Sequence, residues 1–368
     1  MALSKISNDM FTTISRPNST PLFVNGDMSV SQRSTSTASI TDDGYHTVDR
    51  FKLLLDTLGT WTQTQESLTS GDAFTDGFAN ALKMDCTTAD GSPAVGDRMF
   101  LFQRFEGQDF QVLKKGTANA EKLTLSFWVK ATKTGTNICE LGDNDNSRKI
   151  SQSYTISSSN TWEKKVINFA ADTTGALDDD NAASLDVIWW LGAGTNFTSG
   201  TLNSSWNASV SNADRAVGQV NHADSTSNNF HITGVQLEVG EFNSSTLPPF
   251  QHESFGENLR RCQRYCYIYG GDDDTSGDRF GSGYCSSSTN FIGLFALPVN
   301  LRADPSLTVA NIRVATDAAN TDISSIGLGG RQGNYVHTDS TVSGQTDNNP
   351  GQFRKESGAG RLTFDCEL

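Results

Sequence analysis

Hydrophobic and polar residues alternate with a period of two along much of this chain. In the segment LTLSFWVK, residues 123–130, every second residue is apolar, and Trp128 alone interrupts the polar set. This is the pattern of a strand with one face in a core. Gly, Asn and Asp cluster between such segments, and no long amphipathic helix separates them. The pattern predicts antiparallel β-sandwiches rather than a parallel sheet with crossover helices.

One strand changes its phase partway along. Phe230 and Ile232 belong to one face, whereas Val235 and Leu237 are offset from them by an odd number of residues. An extra residue near Gly234 would restore the pairing, because glycine tolerates the backbone of a β-bulge. We therefore expect a bulge at this position.

A single segment carries a helix signal. Ser254 and Glu257 have the spacing of a capping box, and apolar residues at 259, 262 and 266 add one short stripe. We expect a connector helix over residues 254–266, between a domain at 21–253 and a smaller β-sandwich at 267–368. In that second domain, residues 291–297 are apolar at nearly every position, which predicts a strand buried on both faces.

Residues 1–20 have no hydrophobic periodicity and are rich in Ser, Asn and Thr. Such a segment cannot form a core of its own. We expect it to be an arm that a neighbouring subunit or another docking site holds in place. The alternative is a tail that lies on its own domain.

Composition and charge narrow the choice of partners. Only 36% of the residues are hydrophobic, and 28 basic against 42 acidic residues give a net charge of −14. The chain therefore lacks the excess of basic residues that binding to nucleic acid or to an anionic membrane surface requires. Neither a transmembrane segment nor a signal peptide is evident, so we expect synthesis in the cytoplasm and no membrane insertion. The six cysteines lack metal-site spacing, and we expect buried free thiols.

Five segments occur in the order found in one known family: residues 22–33, 102–110, 123–136, 161–169 and 230–267. Among their phrases are LFVNGDMSVSQR, FQRFEGQDF, TWEKKVINF and GVQLEVG followed by PFQHESFGENL. Together they resemble the adhesive domains of tailed-bacteriophage tail fibres, which look like carbohydrate-binding jelly rolls. The resemblance implies an all-β chain with an N-terminal jelly-roll β-sandwich, a short connector helix and a smaller C-terminal β-sandwich.

The same resemblance implies a role. The expected protein is a virion structural protein, assembled in the host cytoplasm as a homotrimer and exposed on the particle surface. It would attach to host surface glycans without catalysis, as a short tail fibre or appendage, and join other virion proteins through its N-terminal arm. A head fibre or capsid decoration protein is the first alternative. A capsule-degrading polysaccharide depolymerase is the second, although the five histidines are isolated and no GxSxG motif is present.

Aromatic rings and hydrogen-bonding side chains are the groups that bind sugars. Three of the six tryptophans, Trp189, Trp190 and Trp206, fall within eighteen residues that also contain Phe197. One of two adjacent tryptophans on a strand must face away from the core, and we expect that ring to be exposed. Arg104 is a further candidate. The alternatives are a tryptophan at a sandwich edge or subunit interface, and an Arg104 that pairs with Glu106 or Asp109.

A structural calcium ion is the one candidate cofactor, since the jelly-roll sugar-binding modules that the chain resembles often carry one, and the alternative is no cofactor. Asp27 and Glu238 fall at similar places and offer the oxygen ligands that calcium prefers. Residues 143–148 resemble the start of an EF-hand loop, but Arg148 occupies the glycine position and Tyr154 the position of the bidentate glutamate. We therefore reject an EF-hand there.

Overall fold

The computed structural model describes residues 20–270, 277–356 and 358–368, which form two compact units that divide between Ser254 and Phe255. The predicted N-terminal arm lies, except for Thr20, outside the described residues and stays a prediction. No helix in the described ranges is long and apolar enough to cross a membrane.

The described part of the first unit is built from short strands and two single-turn helices. The strands are β1 (Ser36–Ile40), β2 (Lys52–Asp56), β3 (Thr60–Ser67), β4 (Asn80–Thr88), β5 (Arg98–Glu106), β6 (Leu123–Ala131), β7 (Gly135–Asp143), β8 (Arg148–Ile156), β9 (Glu163–Phe169), β10 (Ala183–Ala193), β11 (Asn207–Ala208) and β12 (Asn229–Val239). The helices are α1 (Asp72–Thr75) and α2 (Thr195–Thr198). These strands form sheet A, in the order β1-β3-β4-β12-β6-β9, and sheet B, in the order β11-β8-β7-β10-β5-β2.

The strand order is that of a jelly roll. Along the chain, β4, β6, β9 and β12 enter sheet A, and β5, β7, β8 and β10 enter sheet B. These strands form two interleaved antiparallel sets, β4-β12-β6-β9 and β5-β10-β7-β8, which the remaining strands extend at the edges. The predicted all-β sandwich class is therefore confirmed.

The main core lies between sheets A and B, and β6 shows how the sequence builds it. Leu125, Phe127 and Val129 point into this core, whereas Trp128 points to the outer face of sheet A and donates a hydrogen bond from Nε1 to Asp76 Oδ2 at 3.0 Å. The predicted bulge is also present. The pairing of β12 with β6 shifts between Thr233 and Gln236.

Gly234 is required at that bulge for two reasons. Its φ is +59°, a left-handed conformation that side chains rarely adopt. A Cβ atom on Gly234 would also lie only 2.6 Å from the ring of Phe78. The irregularity that the sequence predicted is thus fixed by the one residue type that fits.

The second unit consists of one helix followed by strands. The helix is α3 (Phe255–Gln263), which begins directly after Ser254, and the strands are β13 (Cys266–Gly270), β14 (Arg279–Ser287), β15 (Asn290–Ala296), β16 (Ser306–Ala310), β17 (Ile312–Thr316), β18 (Asn320–Asp322), β19 (Ser325–Gln332), β20 (Tyr335–Thr341), β21 (Pro350–Lys355) and β22 (Arg361–Asp365). Among the described residues these strands form sheet C, in the order β13-β22-β16, and sheet D, in the order β18-β17-β21-β14-β15-β20-β19. Phe295 of sheet D and Phe364 of sheet C meet in the core between them, with ring centroids 5.4 Å apart.

Of two further predictions from the sequence, one is confirmed and the other is wrong. The six cysteines are all buried and free, as predicted. Strand β15 is not buried on both faces, because Phe291 and Phe295 face the core while Leu294 on the other face is 56% exposed. No element among the described residues of the second unit covers that outer face of sheet D.

The first unit buries a histidine in a setting that opposes its protonation. His222 is inaccessible to solvent, its Nε2 lies 2.7 Å from Asn137 Oδ1, and its Nδ1 has no partner among the described residues. Burial, and to a lesser extent Lys133, lower the pKa of His222 from 6.5 to about 4. Burial also lowers the pKa of His46 and of His231.

Acidification from pH 6.5 toward pH 4 should therefore destabilise the first unit. The unfolded state binds a proton at position 222 below pH 6.5, whereas the folded state does so only near pH 4. The stabilisation is complete above pH 6.5, and about 2 kcal/mol of it should be lost between pH 6.5 and pH 5. Urea unfolding across this range measures the slope. A His222→Gln variant should show a shallower slope, and equal slopes in the two proteins would contradict the assignment to His222.

Candidate functional site

The adjacent tryptophans of β10 lie on opposite faces of sheet B, and both are 0% exposed. Trp189 enters the main core, where its ring centroid is 5.8 Å from that of Phe127. Trp190 lies on the outer face, with its ring centroid 5.0 Å from that of Phe100. The alternation was predicted correctly, but the expectation of an exposed ring is wrong, because a second apolar cluster covers the outer face.

The segment between β10 and β12 forms that cover. Its helix α2 brings Phe197 to within 5.6 Å of Trp190, measured between ring centroids. The later part of this segment is held next to α2 by a hydrogen bond from Ala216 N to Phe197 O at 2.9 Å. The buried members of the cluster are Phe100, Phe102, Ile138, Ile188, Trp190, Phe197 and Ala216. Phe197 is therefore a packing residue in this structure.

An ion pair marks the border of the covered region. Arg215 donates to Glu140 through Nη2 at 2.7 Å and Nε at 3.0 Å, and both side chains are buried. The Arg215 guanidinium also lies 5.1 Å from the centroid of the Trp190 ring. Ser151 Oγ donates to the Arg215 carbonyl at 2.9 Å. These contacts attach the cover to strands β7 and β8.

Trp206 lies apart from the other predicted aromatic residues. Its ring is half-buried against the main core, and its Nε1 donates to Ala170 O at 2.7 Å. The ammonium of Lys115 lies 4.6 Å from the ring centroid and pairs with Asp143 and Asp172. The structure thus assigns Trp206 a place beside a buried ion-pair network.

Beyond the Arg215 border, a row of polar residues crosses the outer face of sheet B, in which Asp186 is buried and Lys149 and Arg104 are half-buried. The pairing register places Lys149 of β8, Gly142 of β7, Asp186 of β10 and Arg104 of β5 side by side. Arg104 Nε donates to Asp186 Oδ1 at 3.1 Å, and Asn144 Nδ2 donates to the same oxygen at 3.0 Å. Arg104 therefore pairs with Asp186, not with Glu106 or Asp109. We call this set the Asp186 row.

A notch lies in the middle of the Asp186 row because Gly142 has no side chain. A Cβ on Gly142 would be 3.9 Å from Asp186 Oδ2 and 3.9 Å from Lys149 Nζ. An acceptor and a donor thus flank one small space. The ammonium of Lys149 forms no ion pair with any residue that the structure describes.

Burial opposes the charges on both sides of the notch. It raises the pKa of Asp186 despite the opposing effect of Arg104, and it lowers the pKa of Lys149. Charged groups that have lost much of their water gain from hydrogen bonds to a ligand. A hydroxyl group both donates and accepts, and so could satisfy the carboxylate and the ammonium together.

Aromatic and cationic side chains continue this outer face toward β2. The Arg104 guanidinium lies 5.1 Å from the centroid of the Phe102 ring, and Lys52 Nζ lies 5.5 Å from that of Tyr45. Phe102 is buried beneath the cations, whereas Tyr45 is half-buried, and the Arg33 guanidinium lies 5.0 Å from the centroid of its ring. Tyr45 is therefore the aromatic residue here that can contact the apolar face of a ligand.

The two predicted calcium ligands are held by their own neighbours. Asp27 Oδ1 accepts from Ser29 Oγ at 2.9 Å, and Glu238 Oε1 accepts from Gln236 Nε2 at 2.9 Å. No group of three or more His, Cys, Asp or Glu side chains is placed to hold a metal ion within residues 20–270, 277–356 and 358–368. The calcium site gains no support from this geometry and stays a sequence prediction.

Sequence reasoning missed Asp186, Lys149, Gly142 and Tyr45. Asp186 lies 82 residues from Arg104, and only the strand register brings them together. The sequence does hold one signal for Asp186. It is an acidic residue directly before the apolar stretch VIWWL. A carboxylate there must face the second side of the sheet, where the cover ends.

No known protein family and no curated protein matches this chain. Among solved structures, it is similar to the enzymatically active domain of tailspike protein 4 of bacteriophage CBA120, with 14% identity, a TM-score of 0.29, and coverage of 60% of this chain and 21% of that one. It is also similar to the N-terminal cellulose-binding domain of a Cellulomonas fimi β-1,4-glucanase, with 13% identity, a TM-score of 0.26, and coverage of 58% and 100%. A third is TmCBM61 in complex with β-1,4-galactotriose, with 10% identity, a TM-score of 0.28, and coverage of 60% and 99%. At such TM-scores and identities, these similarities carry no argument about family or activity.

Replacing Trp190 tests the cover. Trp190→Ala should lower the free energy of unfolding of the first unit by about 3 to 5 kcal/mol, because it leaves a cavity beneath the 194–220 segment. Phe74→Ala is the control, since that ring is 44% exposed and its loss should cost less than about 0.5 kcal/mol. Denaturant unfolding measures both, and a Trp190→Ala protein as stable as the control would contradict the buried position.

Proposed function

We propose that the first unit binds glycans without catalysis, through the Asp186 row on the outer face of sheet B. The notch at Gly142 carries the proposal, because its carboxylate acceptor and its unpaired ammonium donor suit a sugar hydroxyl. Arg104 and Asn144 fix the carboxylate, so a ligand would meet a preformed site. Tyr45 supplies a partly exposed ring for the apolar face of a neighbouring sugar.

We place this activity on a bacteriophage virion, in a short tail fibre or appendage exposed on the particle. The five-segment resemblance supports this part of the proposal, and the jelly-roll strand order agrees with it. A head fibre or capsid decoration protein would share the same fold. A depolymerase requires a reactive group placed at a bound sugar. The acidic groups near the notch, Asp186 and Glu140, are instead each held by an arginine.

Asp186→Asn tests the site. The substitution keeps the shape of the side chain but removes the charged acceptor, so binding to a glycan ligand should weaken by about tenfold or more. A panel of soluble dextran, galactan, xylan and polygalacturonate, measured by titration calorimetry, identifies a ligand. Asp76→Asn is the matched control, because Asp76 lies on the outer face of sheet A and pairs with exposed Lys164.

Two results would overturn the proposal. In the first, Asp186→Asn and Asp76→Asn weaken binding equally, or neither of them weakens it. Either outcome would mean that the glycan binds elsewhere. The second result is shortening of the bound polysaccharide after prolonged incubation, measured by size-exclusion chromatography. Shortening would favour the depolymerase alternative.

Assembly into the virion supplies a separate prediction. A homotrimer anchored by residues 1–20 should lose its place on the particle when those residues are deleted, while the shortened protein still folds and binds glycan. Native mass spectrometry of the isolated appendage should give three copies. A stable monomer or dimer on the virion, or unfolding after the deletion, would contradict this part of the proposal.

A further inference from the structure

Three arginines stand side by side on the outer face of sheet D in the second unit. The register pairs Arg313 of β17 with Arg354 of β21, and Arg354 with Arg279 of β14. Directly opposed residues in antiparallel strands project to the same face, with Cβ atoms about 5 Å apart. The three guanidinium groups therefore share one small area, which we call the arginine row.

Within the part of the chain that the structure describes, only Arg313 of the arginine row is paired with carboxylates. Arg313 pairs with Glu356, and its Nε lies 3.6 Å from Asp322. Arg279 Nη1 donates to the neutral amide of Gln352 at 3.1 Å. Neither Arg354 nor Arg279 forms an ion pair with any residue that the structure describes.

Like charges directly opposite each other destabilise a sheet. The chain has an excess of acidic residues, with 42 against 28 basic ones, so carboxylates are plentiful elsewhere on it. Two adjacent arginines without an ion pair among the described residues are a local conflict of the kind found at functional sites. An anionic group that bridges Arg279 and Arg354 would remove the repulsion and form charge-assisted hydrogen bonds with both.

An open groove of about 550 Å³ adjoins the arginine row. Arg279 is part of its wall, together with the Ser282 hydroxyl and the Gln352 amide, whereas the Thr316 hydroxyl in the lining already donates within the protein. Asp317, an acidic residue in the lining, accepts a hydrogen bond from Asn349. On the same sheet face, Tyr284 lies opposite Pro350 at the groove and is 46% exposed.

We propose that the second unit has its own binding site for an acidic saccharide. The carboxylate or sulfate group of one sugar binds Arg354 and Arg279. The hydroxyl groups of the adjoining sugars bind Ser282 and Gln352, and a ring stacks on Tyr284. This site is independent of the Asp186 row in the first unit.

The neighbourhood of the arginine row favours a saccharide over a nucleic acid. A phosphate backbone is bound by cations spread along its length, and log affinity falls with salt in proportion to their number. Here two cations lack an ion pair among the residues that the structure describes, and hydroxyl-binding groups with an exposed ring lie beside them. That combination suits one charged group on a hydroxyl-rich chain.

Binding of defined oligosaccharides to the full-length chain tests the proposal. Tetragalacturonate supplies carboxylates, a carrageenan tetrasaccharide supplies sulfates, and cellotetraose is neutral. Arg354→Gln should weaken binding of one of the two acidic ligands by about tenfold or more, because a charge-assisted contact is lost. Its melting temperature should be unchanged or raised, because the repulsion within the row is relieved.

Arg331→Gln is the matched control. It removes the same charge from sheet D, but Arg331 lies on β19 and pairs with Asp304 at 2.9 Å, so acidic ligands should bind it as they bind the unmodified chain. Asp186→Asn should also leave the Arg354-dependent binding intact, which separates this site from that of the first unit.

Four outcomes would overturn the proposal. In the first, Arg354→Gln binds both acidic ligands with unchanged affinity, and in the second, Arg354→Gln and Arg331→Gln lose affinity equally. In the third, the unmodified chain binds cellotetraose as tightly as the acidic ligands. In the fourth, a thymidine dodecamer binds in an Arg354-dependent way and more tightly than the saccharides. A lower melting temperature with unchanged affinity would show that the arginine row serves the fold instead.

Discussion

The central strand of sheet B buries bulky side chains on both of its faces, and much of the first unit depends on this. Trp189 fills the space between the two sheets, so Trp190 necessarily projects to the other side. A tryptophan in water on an open sheet would be costly, and the 194–220 segment covers it. The Arg215 to Glu140 ion pair then ends the cover, because a buried glutamate needs its partner. Beyond that pair the outer face of the sheet becomes polar, and Asp186 lies there, buried between Arg104 and Asn144.

Much of the sandwich could be predicted from the alternation of residue types, because strand periodicity is local. The face of Leu125 and Phe127, and the bulge at Gly234, both follow from counting residues. The partner of Arg104 could not be predicted, since Asp186 reaches it only through the pairing of β10 with β5. The same applies to the notch at Gly142, which exists because a glycine lies opposite two charged neighbours.

Strands β10 and β15 show why local pattern does not determine burial. Both are apolar on two faces, yet Trp190 is covered whereas Leu294 is not. The pattern of residues shows only that both faces of a strand are apolar. The element that covers β10 belongs to a long connection with apolar residues of its own, among them Phe197. The described connections of the second unit place no such element over Leu294. A second apolar face therefore marks either a covered surface or an exposed one, and only the connections distinguish them.

Net charge and local charge act over different distances. A chain of charge −14 repels an acidic glycan as it approaches, but at physiological ionic strength this repulsion is screened beyond about 8 Å. At contact, the nearest side chains decide the outcome. Lys149 in the first unit, and Arg279 with Arg354 in the second, are cations without an ion-pair partner among the described residues. The overall acidity thus disfavours polyanions that bind through many weak contacts, whereas each proposed site requires only one charged or hydroxyl group of the ligand beside these cations.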